Sequence, residues 1–202
     1  MHTQRWLDDW ARLGLAGDAA WLDRVLASYA APGRHYHTQQ HLAECLAWFD
    51  QVAHLAVHSG EVAIALWFHD AVYVPQARDN EVRSAAWAAD ALRAAGASDA
   101  VIARVHAHVM ATAHHGASGD GDTSLVVDID LAILGAAPAR FAQYEQQIRA
   151  EYAAVPDAVY QVKRREVLAG FLARPALYAT PALHARLDIQ ARSNLERAIR
   201  IN

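Results

Sequence analysis

The chain has 202 residues, of which 54% are hydrophobic and 20% charged, and its formal net charge is -4. This composition is too apolar for a disordered chain and too interrupted by charge for a membrane protein, and the mixed charges argue against long nucleic acid as a partner. We expect no membrane association and a cytoplasmic location, because no apolar run approaches the roughly 18 to 20 residues of a membrane span and the first residues lack a secretory signal.

Apolar residues spaced three and four apart predict helices along nearly the whole chain. The clearest segments are 19–30, 41–55, 61–72, 81–95 and 99–113. Ser98 and Asp157 stand where helix N-caps are expected. Prolines and glycines divide the pattern into about nine or ten helices, and strand-like alternation is nearly absent. Residues 114–124 form the only glycine-rich stretch, which we interpret as a flexible connection without a phosphate-cradle motif. The predicted fold class is all-α.

Histidine is the unusual residue in this composition. There are twelve, and seven of them fall in three groups, at 35/37/41, 106/108 and 114/115. Neutral imidazole is the commonest metal ligand in proteins, so clustering of this kind points to chemistry. The single cysteine, Cys45, excludes a disulfide framework and a thiolate-rich zinc site. We expect Cys45 to be a buried, small apolar residue and not a nucleophile.

The first histidine group lies in RHYHTQQHL, residues 34–42. His37 and His41 are four residues apart and would share one face of a helix that begins near Tyr36. Either could then reach a metal ion, although His35 and His37 taken singly are more typical of a helix start or a surface. The spacing resembles the histidine pair of H-E-x-x-H, but the glutamate is missing, which argues against a zinc protease.

The strongest local feature is WFHDAVY at 67–73, where His69 and Asp70 interrupt an apolar helical segment. Burying an ionised carboxylate without a partner costs several kcal/mol or more, so Asp70 needs a cation, a set of donors or an open cavity. A metal ion would satisfy both side chains together. The alternative from these two residues alone is an exposed aspartate beside a hydrogen-bonded core histidine.

A third feature is SLVVDIDLAILG at 124–135, where Asp128 and Asp130 stand in an apolar, helix-like segment. Residues two apart on a helix point about 200° from each other, so one site takes only one of them. We expect one of the two aspartates to bind and the other to cap a helix or pair with a cation.

The ordered set RHYHTQQH, ALWFHDAVY with DNEVRSA, ATAHH, VDIDLAILG and FLARPALYATP resembles the HD superfamily of metal-dependent phosphohydrolases, in particular a bacterial subgroup of predicted members. The resemblance covers nearly the whole chain, from about Tyr29 to Asn194. It implies a single HD-type domain over residues 1–202, with a metal-binding core at about 29–135 and C-terminal helices at 138–199 that pack on it.

The resemblance implies metal ligation by His41, His69, Asp70 and Asp130. Asp130 is favoured over Asp128 because the acid of the family usually precedes a leucine, as in D-L at 130 and 131. The cofactor is a divalent ion, either Mn, Fe, Co, Ni, Zn or Mg, which the donor types do not distinguish. A second ion is compatible with the resemblance, since His114 or His115 falls where two-metal members have a further histidine.

The expected activity is hydrolysis of a phosphate ester or anhydride in a small molecule, most plausibly a nucleotide. The candidates for catalytic proton transfer are Glu81, His115 and Asp70. The expected substrate-binding residues are Arg34, His37, His114, Lys163 and Arg164. Two other functions stay open, namely a di-iron HD-type oxygenase and a non-catalytic, metal-stabilised nucleotide-binding module. A homo-oligomer is also compatible with the sequence.

Overall fold

The computed structural model describes residues 2–114 and 120–201, without the side chain of residue 201. Within these ranges the chain forms ten α-helices. They are α1 (His2–Ala11), α2 (Ala19–Tyr29), α3 (Gln39–Val52), α4 (Ser59–Phe68), α5 (Asn80–Ala94), α6 (Asp99–Ala111), α7 (Gly121–Asp130), α8 (Pro138–Glu151), α9 (Asp157–Leu172) and α10 (Pro181–Ile201). Short 3-10 helices cover Ala53–Leu55 and Leu131–Gly135.

The all-α prediction is confirmed, because the chain is 73% helical and no residue in 2–114 or 120–201 belongs to a strand. Some helices begin at side-chain caps, but the prediction of Asp157 as an N-cap is wrong, because Pro156 holds that position and Asp157 is the first residue of α9. Asp18 accepts a hydrogen bond from the backbone N–H of Ala20, and Ser98 caps α6 in the same way through the N–H of Val101. None of the helices described is both long and apolar enough to cross a lipid bilayer.

The chain divides into two compact units, Met1–Val127 and Asp128–Asn202, and the division falls inside α7. The predicted single domain, with a core at about 29–135, stays a prediction. The centre of the first unit is α4, which packs against α1, α3, α5 and α6. Every residue from Val62 to Phe68 is completely buried, which explains why this helix has no polar face.

Two tryptophans anchor α1 on α4. The rings of Trp6 and Trp67 meet edge to face, with their centroids 5.2 Å apart. The indole Nε1 of Trp67 donates a 2.9 Å hydrogen bond to the carboxylate of Asp9, which is fully buried and also accepts from Arg5. Both donors bond to Oδ2 of Asp9, so that oxygen keeps its hydrogen bonds in the buried environment.

In the second unit, α10 packs on α9 and on the 3-10 helix Leu131–Gly135. Gly135 permits this approach, because a Cβ atom there would lie 2.7 Å from the Cβ of Leu187 on α10. The side-chain amide of Asn194 donates to the carbonyls of Leu134 and Ala136, at 2.9 and 2.8 Å. These bonds satisfy carbonyls at the end of the 3-10 segment that have no helical partner.

Three boundaries differ from the prediction. Helix α4 ends at Phe68, so His69 and Asp70 follow the helix and do not interrupt it. Helix α3 begins at Gln39 after the N-cap Thr38, and His37 therefore precedes the helix on which His41 lies. The end of the predicted loop 114–124 differs, because α7 begins at Gly121, and residues 115–119 lie outside the described part of the chain.

Candidate metal centre

His41, His69 and Asp70 meet inside the first unit. His41 lies in the first turn of α3, and His69 and Asp70 follow the C-terminal end of α4. The Nε2 atoms of the two histidines are 3.0 Å apart. The Oδ2 atom of Asp70 is 3.4 Å from Nε2 of His41 and 3.1 Å from Nε2 of His69. Three potential ligand atoms from two separate parts of the sequence therefore form one small triangle.

The tautomer of His69 follows from its second nitrogen. Its Nδ1 lies 2.8 Å from the backbone carbonyl of Leu66, and a carbonyl can only accept a hydrogen bond, so Nδ1 carries the proton. In the neutral ring, Nε2 then has a lone pair directed at His41 and Asp70. A histidine that ligates a metal is typically oriented in this way by a carbonyl or carboxylate behind it.

The size of the triangle fits a divalent cation. An ion bonded at about 2.0 to 2.2 Å to nitrogen and oxygen ligands separates those ligands by about 2.8 to 3.6 Å for angles between octahedral and tetrahedral. The separations of 3.0, 3.1 and 3.4 Å fall within this range. Lone pairs at these distances repel one another unless a proton or a cation lies between them. The donor set therefore fits a bound metal ion.

Exposure differs among the three side chains. The side chains of His41 and His69 are 2% and 0% exposed, whereas that of Asp70 is 15% exposed. Burial raises the pKa of the Asp70 carboxyl, but positive charge on the His69 and His37 imidazoles, and hydrogen bonds from His41 and His69 when these rings are protonated at Nε2, hold this pKa well below its ordinary value. In the metal-binding form, with Nε2 of both rings unprotonated, the cation would take the place of these protons. Asp70 is accordingly ionised at neutral pH, which is the form that binds a cation.

The backbone around the His-Asp pair is held by Arg34 and Tyr29. Arg34 donates to the carbonyls of His37, Asp70 and Ala71 at 3.1, 2.7 and 2.9 Å. The hydroxyl of Tyr29 accepts from the N–H of Asp70 at 3.2 Å and lies 3.3 Å from the carbonyl of Trp67, to which it donates. Burial raises the pKa of Tyr29 to about 12, so it stays a neutral hydroxyl.

Cys45 lies beside His41 and His69, which the sequence did not lead us to expect. The potential ligand atoms of His41, Cys45 and His69 all lie within 4.8 Å of one another. The spacing of four residues between His41 and Cys45 on α3 is the signal that could have indicated this proximity. The expectation that Cys45 is buried is confirmed, at 2% exposure.

The orientation of Cys45 favours packing over ligation. Its Sγ is 3.7 Å from both Nδ1 and Nε2 of His41. A thiolate that shared an ion with Nε2 would lie roughly 3.5 Å from Nε2 but roughly 5 Å from Nδ1. The equal distances place the sulfur beside the imidazole, where it supports the ring that carries the proposed ligand atom.

Aromatic rings flank the cluster. His37 stacks on Tyr73 with their ring centroids 3.8 Å apart, and Tyr36 lies 4.6 Å from the ring of His41. His37 is half-buried and its charge acts on Asp70, which places it beside the predicted ligands. Its predicted role in substrate binding stays a prediction.

The two aspartates of VDID differ in their surroundings within the second unit. Asp128 is 2% exposed and accepts the backbone N–H groups of Ala179 and Thr180 at 3.0 and 2.6 Å. These amides immediately precede α10, so Asp128 is engaged by backbone just before that helix, and the division of the pair into a ligand and a cap stays a prediction. Asp130 is the half-buried last residue of α7. Its role as a ligand stays a prediction.

The remaining predicted site residues are spread over several elements. Glu81 is half-buried in the first turn of α5, and His114 is exposed beyond α6. His115 lies outside the described residues. In the second unit, exposed Lys163 pairs with Glu166, and buried Arg164 pairs with Glu145. The predicted roles of these residues in catalysis or substrate binding stay predictions.

No family model, curated protein or solved structure matches this chain. The resemblance to the HD superfamily therefore stays a prediction from sequence motifs.

Proposed function

We propose that this chain is a metal-dependent phosphohydrolase that cleaves a phosphate ester or anhydride of a small molecule, with a nucleotide as the expected substrate. The observation that carries the proposal is the triangle of His41 Nε2, His69 Nε2 and Asp70 Oδ2, with sides of 3.0 to 3.4 Å. The HD-like order of motifs in the sequence supports the choice of phosphoester hydrolysis over other metal chemistry.

In this proposal His41, His69 and Asp70 hold a divalent ion, and Asp130 is the fourth ligand. Asp130 is chosen because Asp128 already accepts two backbone hydrogen bonds ahead of α10. The donor set of imidazole and carboxylate suits Mn, Fe, Co, Ni, Zn or Mg. When bound, such an ion lowers the pKa of a coordinated water toward neutrality and polarises a phosphoryl group.

The chain itself supplies orientation and access. The carbonyl of Leu66 fixes the His69 ring with Nε2 toward the triangle. Both imidazoles are almost completely buried, whereas Asp70 is 15% exposed, so solvent and substrate approach from the side of Asp70. The ionised Asp70 carboxylate can accept a hydrogen bond from an attacking water there. Glu81 and His115 remain the proposed alternatives for moving the proton.

The test is phosphate release from a panel of nucleotides and simple phosphate esters, with Mn, Co, Ni, Mg or Zn added to metal-free protein. We expect release with at least one metal, and its loss in His69→Ala and Asp70→Asn. His108→Ala is the matched control for the histidine, because His108 is equally buried in the first unit, at 2% exposure. Release that survives both ligand substitutions would contradict the proposal.

A further inference from the structure

The turn that carries His69 and Asp70 is held from outside by side chains of a preceding segment. Helix α4 ends at Phe68, and the last carbonyls of a helix have no partner within it. Arg34 donates to the carbonyls of Asp70 and Ala71 at 2.7 and 2.9 Å. Both terminal nitrogens of its guanidinium therefore bond to backbone beside the proposed ligands.

Tyr29 holds the same turn at two further points. Its hydroxyl accepts from the N–H of Asp70 and donates to the carbonyl of Trp67, at 3.2 and 3.3 Å. The guanidinium carbon of Arg34 lies 5.3 Å from the centre of the Tyr29 ring, so the two side chains are in contact with each other as well. At this turn they bond to backbone groups of three residues, Trp67, Asp70 and Ala71.

This arrangement matters because neighbouring residues on a helix point about 100° apart. His69 still has helical backbone angles, φ -53° and ψ -37°, so the 3.1 Å contact between His69 Nε2 and Asp70 Oδ2 depends on the turn that follows His69. The hydrogen bonds to Arg34 and Tyr29 stabilise that turn. A small change in the turn would separate the two ligand atoms.

Arg34 also joins the turn to the helix that carries His41. The Nη1 group that bonds to Asp70 also donates to the carbonyl of His37 at 3.1 Å. His37 directly precedes Thr38, which caps the start of α3, and His41 lies in the first turn of that helix. One guanidinium thus connects the two segments that supply the ligands.

We propose that Arg34, assisted by Tyr29, is a positioning residue that sets the distance between the His41 and the His69-Asp70 halves of the metal centre. The inference rests on the proposed metal role of these ligands. It assigns Arg34 to the backbone of the site and not to the substrate phosphate, which was its expected partner from the sequence.

The experiment measures Mn²⁺ affinity by calorimetry and the absorption spectrum of the Co²⁺ form, on full-length variants. Arg34→Met removes the donors and keeps an apolar stem, Arg34→Lys restores a charge without the planar fork, and Tyr29→Phe removes only the hydroxyl. Arg24→Met is the matched control, because Arg24 lies in the same unit but packs on the Trp21 ring at 4.2 Å. Urea unfolding of each variant is measured in parallel.

We expect Arg34→Met to weaken Mn²⁺ binding by roughly 10- to 100-fold in protein that is still folded, as is usual when a residue supporting a metal ligand is lost. Arg34→Lys should recover part of this affinity, Tyr29→Phe should lose a smaller part, and the Co²⁺ spectrum should change in each. Arg24→Met should bind Mn²⁺ as the unmodified chain does. If Arg34→Met does not fold, Arg34→Lys and Tyr29→Phe give the same test.

Unchanged Mn²⁺ affinity in folded Arg34 and Tyr29 variants would overturn the inference. So would an Arg34→Met protein that keeps its Mn²⁺ affinity and shows only a higher KM for a phosphate substrate, because that result assigns Arg34 to the phosphate. If the unmodified chain binds Mn²⁺ but releases no phosphate, only the proposed hydrolase activity is contradicted. The Mn²⁺ affinities of the variants then still test the role of Arg34. An unmodified chain that binds no Mn²⁺ or Co²⁺ would overturn both.

Discussion

Replacing Asp128 with alanine removes the acceptor of two backbone hydrogen bonds at the start of α10. The carboxylate accepts the N–H of Ala179 at 3.0 Å and the N–H of Thr180 at 2.6 Å. A hydrogen bond of this kind contributes about 1 kcal/mol net, and more when the acceptor is charged. Ala179 is exposed, so water can replace part of the loss there. We therefore expect Asp128→Ala to lower the free energy of unfolding by about 2 kcal/mol.

Asp128→Asn should cost less, about 1 kcal/mol at neutral pH, because the amide oxygen keeps one of the two hydrogen bonds and the NH2 group loses the other. Burial raises the pKa of Asp128 even though Thr180 and Ala179 donate hydrogen bonds to it. The native state therefore binds this proton more readily than the unfolded state does. The free energy that this proton contributes to folding is largest at a pH below the ordinary pKa of an aspartate. It is lost as the pH rises through the raised pKa of Asp128. The asparagine variant should lack that part of the pH dependence.

The assay is urea unfolding of the two variants and the unmodified chain at pH 4 and pH 7, with Mn²⁺ affinity measured on the same samples. We expect Asp128→Ala to lose stability and Asp128→Asn to keep its Mn²⁺ affinity. Asp130→Asn should lose Mn²⁺ affinity. If Asp128→Ala unfolds like the unmodified chain, or if Asp128→Asn loses the metal while Asp130→Asn retains it, the division of roles between these aspartates is refuted.

Three further predictions concern the packing of each unit. Burial, with a smaller contribution from Arg104, lowers the pKa of His108, although the carboxylates of Asp120, Asp122 and Glu61 act in the opposite direction. The unfolded state therefore binds a proton at His108 more readily than the folded state does. Stability should therefore fall as the pH drops through the ordinary value of 6.5, and His108→Gln should flatten a urea-midpoint profile between pH 7 and 5. Trp67→Phe removes the 2.9 Å hydrogen bond to buried Asp9 and should cost about 1 to 3 kcal/mol in urea unfolding; no loss would show that Arg5 alone satisfies the carboxylate. Gly135→Ala places a Cβ 2.9 Å from the carbonyl oxygen of Leu187 and should lower thermal stability by about 1 to 3 kcal/mol, whereas Gly121→Ala, which meets nothing, should not.

The helical fold was accessible from the sequence, because apolar spacing and alanine content are local properties that survive in the folded chain. Helix ends were less accessible. The apolar pattern continues through Ala71 and Val72, so periodicity alone cannot show that α4 ends at Phe68. The turn after the helix is held by hydrogen bonds with Arg34 and Tyr29, which lie more than 30 residues away in sequence and leave no local signal.

In the candidate site, too, local sequence features were predictable and long-range contacts were not. The family-like order of motifs led to His41, His69 and Asp70, and the structure brings these three together. Cys45 was interpreted by its apolar character alone, although its spacing from His41 is helical. The choice between Asp128 and Asp130 could not be made locally, because the amides that engage Asp128 belong to Ala179 and Thr180, about fifty residues further on.

The central claim is that His41, His69 and Asp70 hold a divalent ion, and metal content measures it most directly. Full-length protein loaded with Mn²⁺ or Zn²⁺ and then desalted is analysed by elemental mass spectrometry, with helical content followed by circular dichroism. The account predicts about one tightly bound ion per chain, its loss in His69→Ala and Asp70→Ala, and its retention in His108→Ala, with helical content nearly unchanged. Equal metal content in all four proteins would contradict the account.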